Sequence, residues 1–245
     1  MLELKNVSFE IGDSAIPIIK DVSLTLENQK LYVITGPNGS GKSSLAKIIM
    51  GIYRPTSGKI YFDGQDITDM GVTERARLGI GFAFQNPPRF KGISVGSLLR
   101  IASSSEKAAV GCNYLFDVGL CPKDYVNREV NNSLSGGELK RIEIATLLNR
   151  TLKMAIFDEP EAGIDLWSFS KLTETFNKMH EKKDSTIVII SHQERILNLA
   201  DEIILIADGY IQRKGAKEEM LPDILNACDC NKNCIERMEI GDECN

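Results

Sequence analysis

The residues with the clearest chemical meaning form a glycine-rich loop near the start of the chain. The loop has the pattern G-x-x-x-x-G-K-S, in which successive backbone N–H groups can surround phosphates at a helix N-terminus. Lys42 would then reach the outer phosphates of a nucleotide, and Ser43 would help to hold Mg²⁺. An ordinary glycine turn gives the same bare pattern, but a strand before it and a helix after it favour phosphate binding. The predicted nucleotide-binding residues are Gly36, Pro37, Asn38, Gly39, Ser40, Gly41, Lys42, Ser43 and Ser44.

Two adjacent carboxylates end an apolar segment much later in the chain. Asp158 and Glu159 directly follow Met154–Phe157. Neighbouring side chains at a strand end point in different directions, so one acid can serve a metal while the other meets a water molecule. We assign Asp158 to Mg²⁺ and Glu159 to the role of general base or water-polarising group. A turn that merely closes a strand is the alternative, and the position after a phosphate loop favours catalysis.

A second glycine pair stands at the start of a predicted helix. The helix runs through Arg150, with Ser135 as its N-cap and Glu138 as the capping-box partner. Local capping alone explains these residue types. However, Gly136 and Gly137 also leave N–H groups open to an anion, which indicates a second phosphate site. One chain need not fold both sites onto the same nucleotide.

The segments around these motifs alternate between strand and helix. Residues 2–35 are predicted as strands, of which the buried run Leu31–Ile34 leads into the glycine loop and is followed by a helix over Ser44–Met50. Such alternation predicts an α/β fold with a mostly parallel sheet that is covered on both faces. Further buried strands are predicted at Ile80–Phe84, Ala155–Phe157, Ile187–Ile190 and Ile203–Ala207.

The stretch from about 86 to 134 lacks a comparable strand and is predicted to be a helical insert. Its best helical segments are Val95–Ala102 and Ala108–Val118. No internal repeat or low-complexity linker divides the chain. We therefore expect a single domain over 1–245, with a helical subdomain over about 86–150 and a cysteine-containing tail over about 226–245.

Composition narrows the class of protein. The chain has 245 residues, 42% of them hydrophobic, which is enough for a substantial core. Its formal net charge of -5 argues against binding to nucleic acid as the main role, so proteins are the expected partners. No signal-like segment begins the chain, and no run approaches the roughly 20 apolar residues that span a bilayer. We expect a cytoplasmic protein without direct membrane insertion.

In this order, the motifs resemble those of the ATP-binding cassette family, and the resemblance covers nearly the whole chain. It implies a P-loop NTPase of the cassette type, whose mostly parallel core carries an N-terminal antiparallel β-subdomain. ATP and Mg²⁺ would be the cofactors. It also implies an ATP-dependent homodimer, in which Ser135, Gly136 and Gly137 of one subunit close over the γ-phosphate held by the other.

Further positions take roles only through this resemblance. Gln85 matches the family's glutamine that senses magnesium and water, and His192 matches its switch histidine. Together with Glu159 they form the implied catalytic set, and Gln85 joins Ser43 and Asp158 around Mg²⁺. Gly163 and Asp165 match the loop that joins the two sites of a dimer.

One position departs from the family pattern. Many cassettes carry a tyrosine near position 11 that stacks on adenine, whereas this chain has Ile11, with Phe9 two residues earlier. Stacking is therefore weaker or comes from another side chain, and the choice between adenine and guanine is open.

Within the family, several segments resemble SufC, the ATPase of iron–sulfur cluster assembly. The implied partner is a SufB-like or SufD-like scaffold protein, and the loop Pro87–Phe90 is the expected docking surface. The alternative is the motor subunit of a membrane transporter. The matching segments are Ala83–Pro88, Gly92–Ser94, Ser135–Arg141 and Ser191–Leu197.

Six cysteines are too few and too unevenly placed for a disulfide framework, and Cys112 and Cys121 are expected to be reduced thiols. Four thiols at the end of the chain could hold zinc or an iron–sulfur cluster, which would make the tail a metal-binding or redox-sensing module. Their spacing matches no usual ligand pattern, and the surrounding acids disfavour thiolates, so a solvated tail is the default expectation. These thiols are Cys228, Cys230, Cys234 and Cys244.

Overall fold

The fold consists of two β-sheets and a set of helices packed around them. The computed structural model describes residues 1–12, 16–103 and 109–225. The strands are β1 Leu2–Ile11, β2 Ile16–Leu26, β3 Leu31–Thr35, β4 Ser57–Phe62, β5 Gln65–Asp66, β6 Ile80–Ala83, β7 Met154–Asp158, β8 Thr186–Ile190, β9 Glu202–Ala207 and β10 Tyr210–Ala216. The helices are α1 Lys42–Met50, α2 Val72–Arg77, α3 Val95–Ala102, α4 Ala109–Asp117, α5 Pro122–Tyr125, α6 Gly136–Leu148, α7 Leu166–Lys182 and α8 Glu194–Leu197. A further helical segment covers 217–225.

The larger sheet has six strands in the order β10-β9-β3-β8-β7-β6. Five of them are parallel, and β10 pairs antiparallel with β9 at one edge. All residues of β3, β7 and β8 are buried, as expected for parallel strands that are covered on both faces. The mostly parallel sheet predicted from the sequence is confirmed. The phosphate loop follows β3, the paired acids lie at the end of β7 and His192 follows β8. These three strands are neighbours in the sheet, so the predicted site residues lie together at the carboxyl ends of the parallel strands.

The smaller sheet is antiparallel, with the order β2-β1-β4-β5. Together with α1 and one face of the large sheet it encloses an apolar core that includes Leu4, Ile34, Ile48 and Ile156. A second core fills the opposite face and reaches into the helices α3, α4 and α6. The N-terminal antiparallel β-subdomain implied by the family resemblance is thus present.

A buried arginine of α2 connects the end of α1 to the segment that follows β5. Arg75 is 1% exposed, and no carboxylate contacts it within the described residues. Its guanidinium satisfies backbone carbonyls at the C-terminal end of α1, where the helix dipole favours a positive charge. Burial lowers its pKa to about 10. The accepting carbonyls are those of Ile48, Ile49, Ile67, Thr68 and Met70.

Candidate active site

The phosphate loop joins β3 to α1 and is shaped by glycines that no other residue could replace. Gly36 has a φ of 138°, and a Cβ there would lie 1.9 Å from the carbonyl oxygen of Ile206. Gly41 has a φ of 100°, and a Cβ there would lie 2.7 Å from the Cδ1 atom of Ile19. The loop backbone is therefore pressed against β2 and β9, with its amide groups gathered at the N-terminus of α1.

Lys42 lies inside the loop and is only 5% exposed. Its ammonium group donates hydrogen bonds to the carbonyl oxygens of Gly36, at 2.7 Å, and Pro37, at 2.8 Å. Burial lowers the pKa of Lys42, an effect that the negative charges of Glu159 and Asp158 oppose. The Ser40 hydroxyl is also buried and has no hydrogen-bond partner among the described residues. A cation and a free donor thus stand where phosphates would bind.

Ser43 and Asp158 meet at the start of α1. The Ser43 hydroxyl donates to Asp158 Oδ1 at 2.8 Å, and Asp158 is 1% exposed. Burial raises the pKa of Asp158, while the bond from Ser43 acts in the opposite direction. A hydroxyl, a carboxylate and the nearby amide of Gln85 are oxygen donors that suit Mg²⁺. Over 1–12, 16–103 and 109–225, no three His, Cys, Asp or Glu side chains form a metal site alone, so Mg²⁺ would also need nucleotide phosphates.

Glu159 follows Asp158 in an uncommon backbone conformation. Its φ is 45°, in the left-handed region that a residue with a Cβ seldom adopts. The backbone N–H of Glu159 donates to the Ile190 carbonyl at 3.0 Å, and the ammonium of Lys140 donates to the Glu159 carbonyl. Gln85 Nε2 donates to Glu159 Oε2 at 2.7 Å. The turn thus brings the two predicted catalytic side chains into direct contact.

His192 stands on the other side of the phosphate loop. Its Nδ1 lies 3.4 Å from the hydroxyl of Thr35. Partial desolvation and the charge of Lys42 lower the pKa of His192, so the imidazole is neutral at pH 7. The preceding Ser191 donates to Glu161 Oε1 at 2.6 Å and accepts from the Gln193 N–H at 3.0 Å. These bonds fix the backbone that carries the histidine.

The phosphate loop, Gln85 and Glu159 open into one cleft of about 500 Å³. The cleft is large enough for a nucleotide phosphate tail, since small-molecule sites start at about 300 Å³. Ile18 of β2 also lines the cleft, and the sequence motifs do not predict this contribution. Phe9 is unsuited to hold the base here, because it is 9% exposed and stacks on Tyr53 with ring centroids 5.0 Å apart.

The second glycine pair lies apart from this cleft. Ser135 accepts from the Glu138 N–H at 3.2 Å, and Glu138 Oε2 accepts from the Ser135 N–H at 2.7 Å, which confirms the predicted capping box. Ser135 and Gly136 are exposed, whereas Gly137 is buried so tightly that a Cβ would lie 2.7 Å from the Gly163 carbonyl oxygen. The pair is not part of the cleft lining. Ser135 and Gly136 are therefore accessible to solvent outside the chain's own nucleotide cleft.

Several residues that shape the site were not found from the sequence. Lys140 supports the Glu159 carbonyl, and Glu143 accepts from the Phe84 N–H at 3.1 Å, just before Gln85. Both lie on α6, directly after the capping box. Burial raises the pKa of Glu143 to about 8 and lowers the pKa of Lys140. Only the folded packing of α6 against the loops after β6 and β7 reveals these roles.

The structure describes only some of the cysteines considered in the sequence. Cys121 is a free thiol on the surface. The four tail cysteines, Cys228, Cys230, Cys234 and Cys244, lie outside the described residues.

Comparisons with known proteins agree with this geometry. The family model described as ABC transporter matches residues 19–162. The uncharacterized ABC transporter ATP-binding protein MJ0035 of Methanocaldococcus jannaschii is 40% identical, covering 83% of this chain and 84% of that protein. The probable ATP-dependent transporter ycf16 of Cyanophora paradoxa is 32% identical, covering 89% of each chain.

A solved structure extends the agreement to the fold. It is the dimeric post-hydrolysis state of the ATP-binding cassette MJ0796 bound to ADP and Pi, which is 26% identical with a TM-score of 0.80. The match covers 89% of this chain and 99% of that one. The expected cassette fold is confirmed, and in the described residues no helix is both long and apolar enough to cross a membrane. The chain therefore belongs to the ATP-binding cassette family and is one of its ATPases.

Proposed function

We propose that two copies of this chain close around ATP and hydrolyse it at sites that the copies share. The observation that carries this proposal is the separation of two half-sites. Lys42, Ser43 and Glu159 line one cleft, where Asp158 accepts from the Ser43 hydroxyl, while the exposed Ser135 and Gly136 lie outside the lining of that cleft. A second copy is the simplest source of the missing donors, and the relative MJ0796 has been solved as a dimer with ADP and Pi.

The side chains divide the chemistry of hydrolysis among them. Lys42 and the loop amides bind the phosphates, and Ser43, Asp158 and Gln85 would hold Mg²⁺, which neutralises charge on the phosphates when bound. Glu159 polarises the attacking water, and neutral His192 donates a hydrogen bond from its ring N–H to the outer phosphate. Ser135, Gly136 and Gly137 of the other copy add donors where charge develops.

The proposed work of this closure is a shape change in a SufB-like or SufD-like scaffold in the cytoplasm. The resemblance of Ala83–Pro88 and Ser135–Arg141 to SufC supports it. The loop Pro87–Phe90 is the proposed docking surface. The structure supports this choice because Phe90 is 37% exposed while its N–H donates to the Val130 carbonyl at 2.8 Å, so an apolar side chain stands on a fixed backbone.

The second candidate is the motor subunit of a membrane transporter. The family model and the names of the two relatives favour it, since all three refer to transporters. Both candidates require the same dimer and the same hydrolysis. They differ only in what the exposed loops contact.

The variant Glu159→Gln tests the shared part of the proposal. Its side chain keeps the size of the original but no longer polarises water, so ATP binding should persist, turnover should fall about 100-fold or more, and an ATP-locked dimer should accumulate. ATP titration, phosphate release and sedimentation measure the three effects. Hydrolysis at the wild-type rate would refute the role of Glu159.

Purification of this trapped variant from its native cells separates the two partners. Recovery with a β-rich scaffold protein without detergent supports the SufC-like proposal, and loss of that partner in a Phe90→Asp variant would place the contact at the proposed loop. Recovery only with an integral membrane protein would establish the transporter alternative.

A further inference from the structure

Two large apolar side chains stand uncovered at the start of α7. Trp167 is 85% exposed and Leu166 is 64% exposed. Their backbone is nevertheless fixed, because the Asp165 carboxylate accepts from the N–H groups of Trp167, at 3.1 Å, and Ser168, at 3.0 Å. A fixed and exposed tryptophan is unusual on a protein surface and is the residue type most enriched at interface hot spots.

An apolar cavity of about 570 Å³ opens beside the phosphate loop. Its floor is formed by Leu205, Ala207, Met220 and Ile224, from β9 and the helical segment 217–225. The remaining wall consists of Thr35, Gly36, Pro37, Asn38 and His192, with the ion pair of Arg213 and Asp223 beside it. The cavity has the size and apolar lining that suit an indole ring with an aliphatic neighbour.

The exposed pair belongs to the same rigid unit as the second glycine pair. The Gly163 carbonyl lies so close to Gly137 that even a methyl group could not fit between them. Arg141, one turn into α6, donates to the Ser168 hydroxyl at 2.9 Å and so links that helix to the start of α7. Any surface that receives Ser135 and Gly136 therefore receives Leu166 and Trp167 at its margin.

The cavity has the corresponding position on the opposite half-site, since Gly36, Pro37 and Asn38 belong both to the phosphate loop and to its wall. We infer that Trp167, with Leu166, docks into this cavity on a second copy of the chain when the two copies close around ATP. The inference rests on the proposed dimer. A two-fold axis makes the contact twice, because each copy carries both the exposed pair and the cavity.

This contact would couple dimer closure to the chemistry. His192 lines the cavity, and its imidazole Nδ1 lies near the Thr35 hydroxyl. An inserted indole would therefore pack beside the switch histidine. The position of the His192 imidazole that permits hydrolysis would then depend on the arrival of the second copy. The shared site would gain an apolar anchor next to its polar donors.

The test uses Trp167 as its own reporter, since it is the single tryptophan of the chain. In the full chain carrying Glu159→Gln, Mg²⁺ and ATP should move the tryptophan emission to shorter wavelength and protect it from acrylamide, in step with dimer formation measured by sedimentation. Adding Ile224→Lys, which places a charge in the cavity, should weaken both the dimer and the emission change. In the same trapped background, Trp167→Ala should raise the dimer dissociation constant by about 30-fold, as expected for a hot-spot residue.

The matched control is Phe116→Ala, which removes another exposed aromatic side chain, 66% exposed, from the helical subdomain and should leave the dimer unchanged. A trapped dimer whose tryptophan emission and quenching do not change would overturn the inference and leave the proposed function standing. Absence of any ATP-dependent dimer would overturn both, and sedimentation distinguishes this result from the first.

Discussion

The two glycine-containing motifs of this chain have opposite surroundings. The phosphate loop is enclosed by β2 and β9, buries Lys42 at 5% exposure and already contacts Asp158 through Ser43. The segment from Ser135 has an exposed face, and its capping box is held by hydrogen bonds from Tyr125 and Arg128 to Glu138. The phosphate loop is thus held within the fold of a single chain, whereas part of the segment from Ser135 stays exposed on its surface.

This difference separates two tasks that a single motif could not perform. An enclosed loop can hold nucleotide in each chain, because its cation and amides are already positioned. In the proposed dimer, the exposed cap acts only when a second copy reaches it, so hydrolysis would depend on an encounter between copies. Binding and turnover should therefore respond to different variants.

The largest expected effect comes from Arg75→Met. This change removes the hydrogen bonds at the C-terminal end of α1, the helix whose N-terminus follows the phosphate loop. The guanidinium satisfies five backbone carbonyls, including two at the end of α1, and methionine would leave them buried without donors. We expect the free energy of unfolding to fall by about 3 kcal/mol. Urea unfolding measures this loss. Arg77→Met is the control. Arg77 lies on the exposed side of α2, the helix that also carries Arg75, and its replacement should change the free energy of unfolding little. Equal stability of the two variants would contradict the structural role of Arg75.

The next effect comes from Ser135→Arg, which blocks the exposed half-site. ATP binding to the isolated chain should be unchanged, while turnover should fall about 100-fold, because donors at the developing charge are displaced. Equilibrium binding and steady-state hydrolysis measure the two quantities. Ser133→Arg places the same side chain on an exposed position two residues earlier and serves as control. A parallel loss of binding in Ser135→Arg would mean that the segment belongs to its own chain's cleft.

The smallest effect is a pH dependence carried by Glu143, which links α6 to the loop of Gln85. Its folded pKa is about 8, above the usual 4.5, so between these values the folded chain keeps a proton that the unfolded chain releases. The free energy of unfolding should therefore fall as pH rises through this window. Below pH 4.5 this penalty disappears.

Glu143→Gln removes the titration but keeps an acceptor for the Phe84 N–H. The variant should gain stability over the wild type as pH rises from 5 to 8, as thermal or urea unfolding at several pH values would show. A constant difference across this range would contradict the raised pKa of Glu143.

The sequence predicted those parts of the site that depend on neighbouring residues. The glycine loop between strand and helix, the acids at a strand end and the capping box from Ser135 to Glu138 are all contiguous patterns, and each is present. The parallel sheet was predicted because Val, Ile and Leu runs recur between helical segments. Element ends differ by at most two residues, as for the first helix, which begins at Lys42 rather than Ser44.

The remaining features depend on packing between distant segments. Arg75 looks like an ordinary charged helix residue until the fold surrounds it with carbonyl groups of α1. Phe9 is the only aromatic residue near position 11, yet stacking on Tyr53 removes it from the base site. Glu143 and Lys140 acquire their roles because α6 packs against two loops. No local pattern encodes such contacts, since each joins residues that are far apart in the sequence.

In the proposed dimer, each hydrolytic site takes its phosphate loop from one copy and its exposed cap from the other. Mixing two inactive variants tests it most directly. Lys42→Ala should abolish nucleotide binding, and Ser135→Arg should reduce turnover about 100-fold while keeping binding. A mixed dimer contains one site with an intact loop and an intact cap. Equimolar mixing should therefore restore about a quarter of wild-type hydrolysis, since half of the dimers are mixed and each has one working site. A mixture as inactive as its components would show that the two copies do not share their hydrolytic sites.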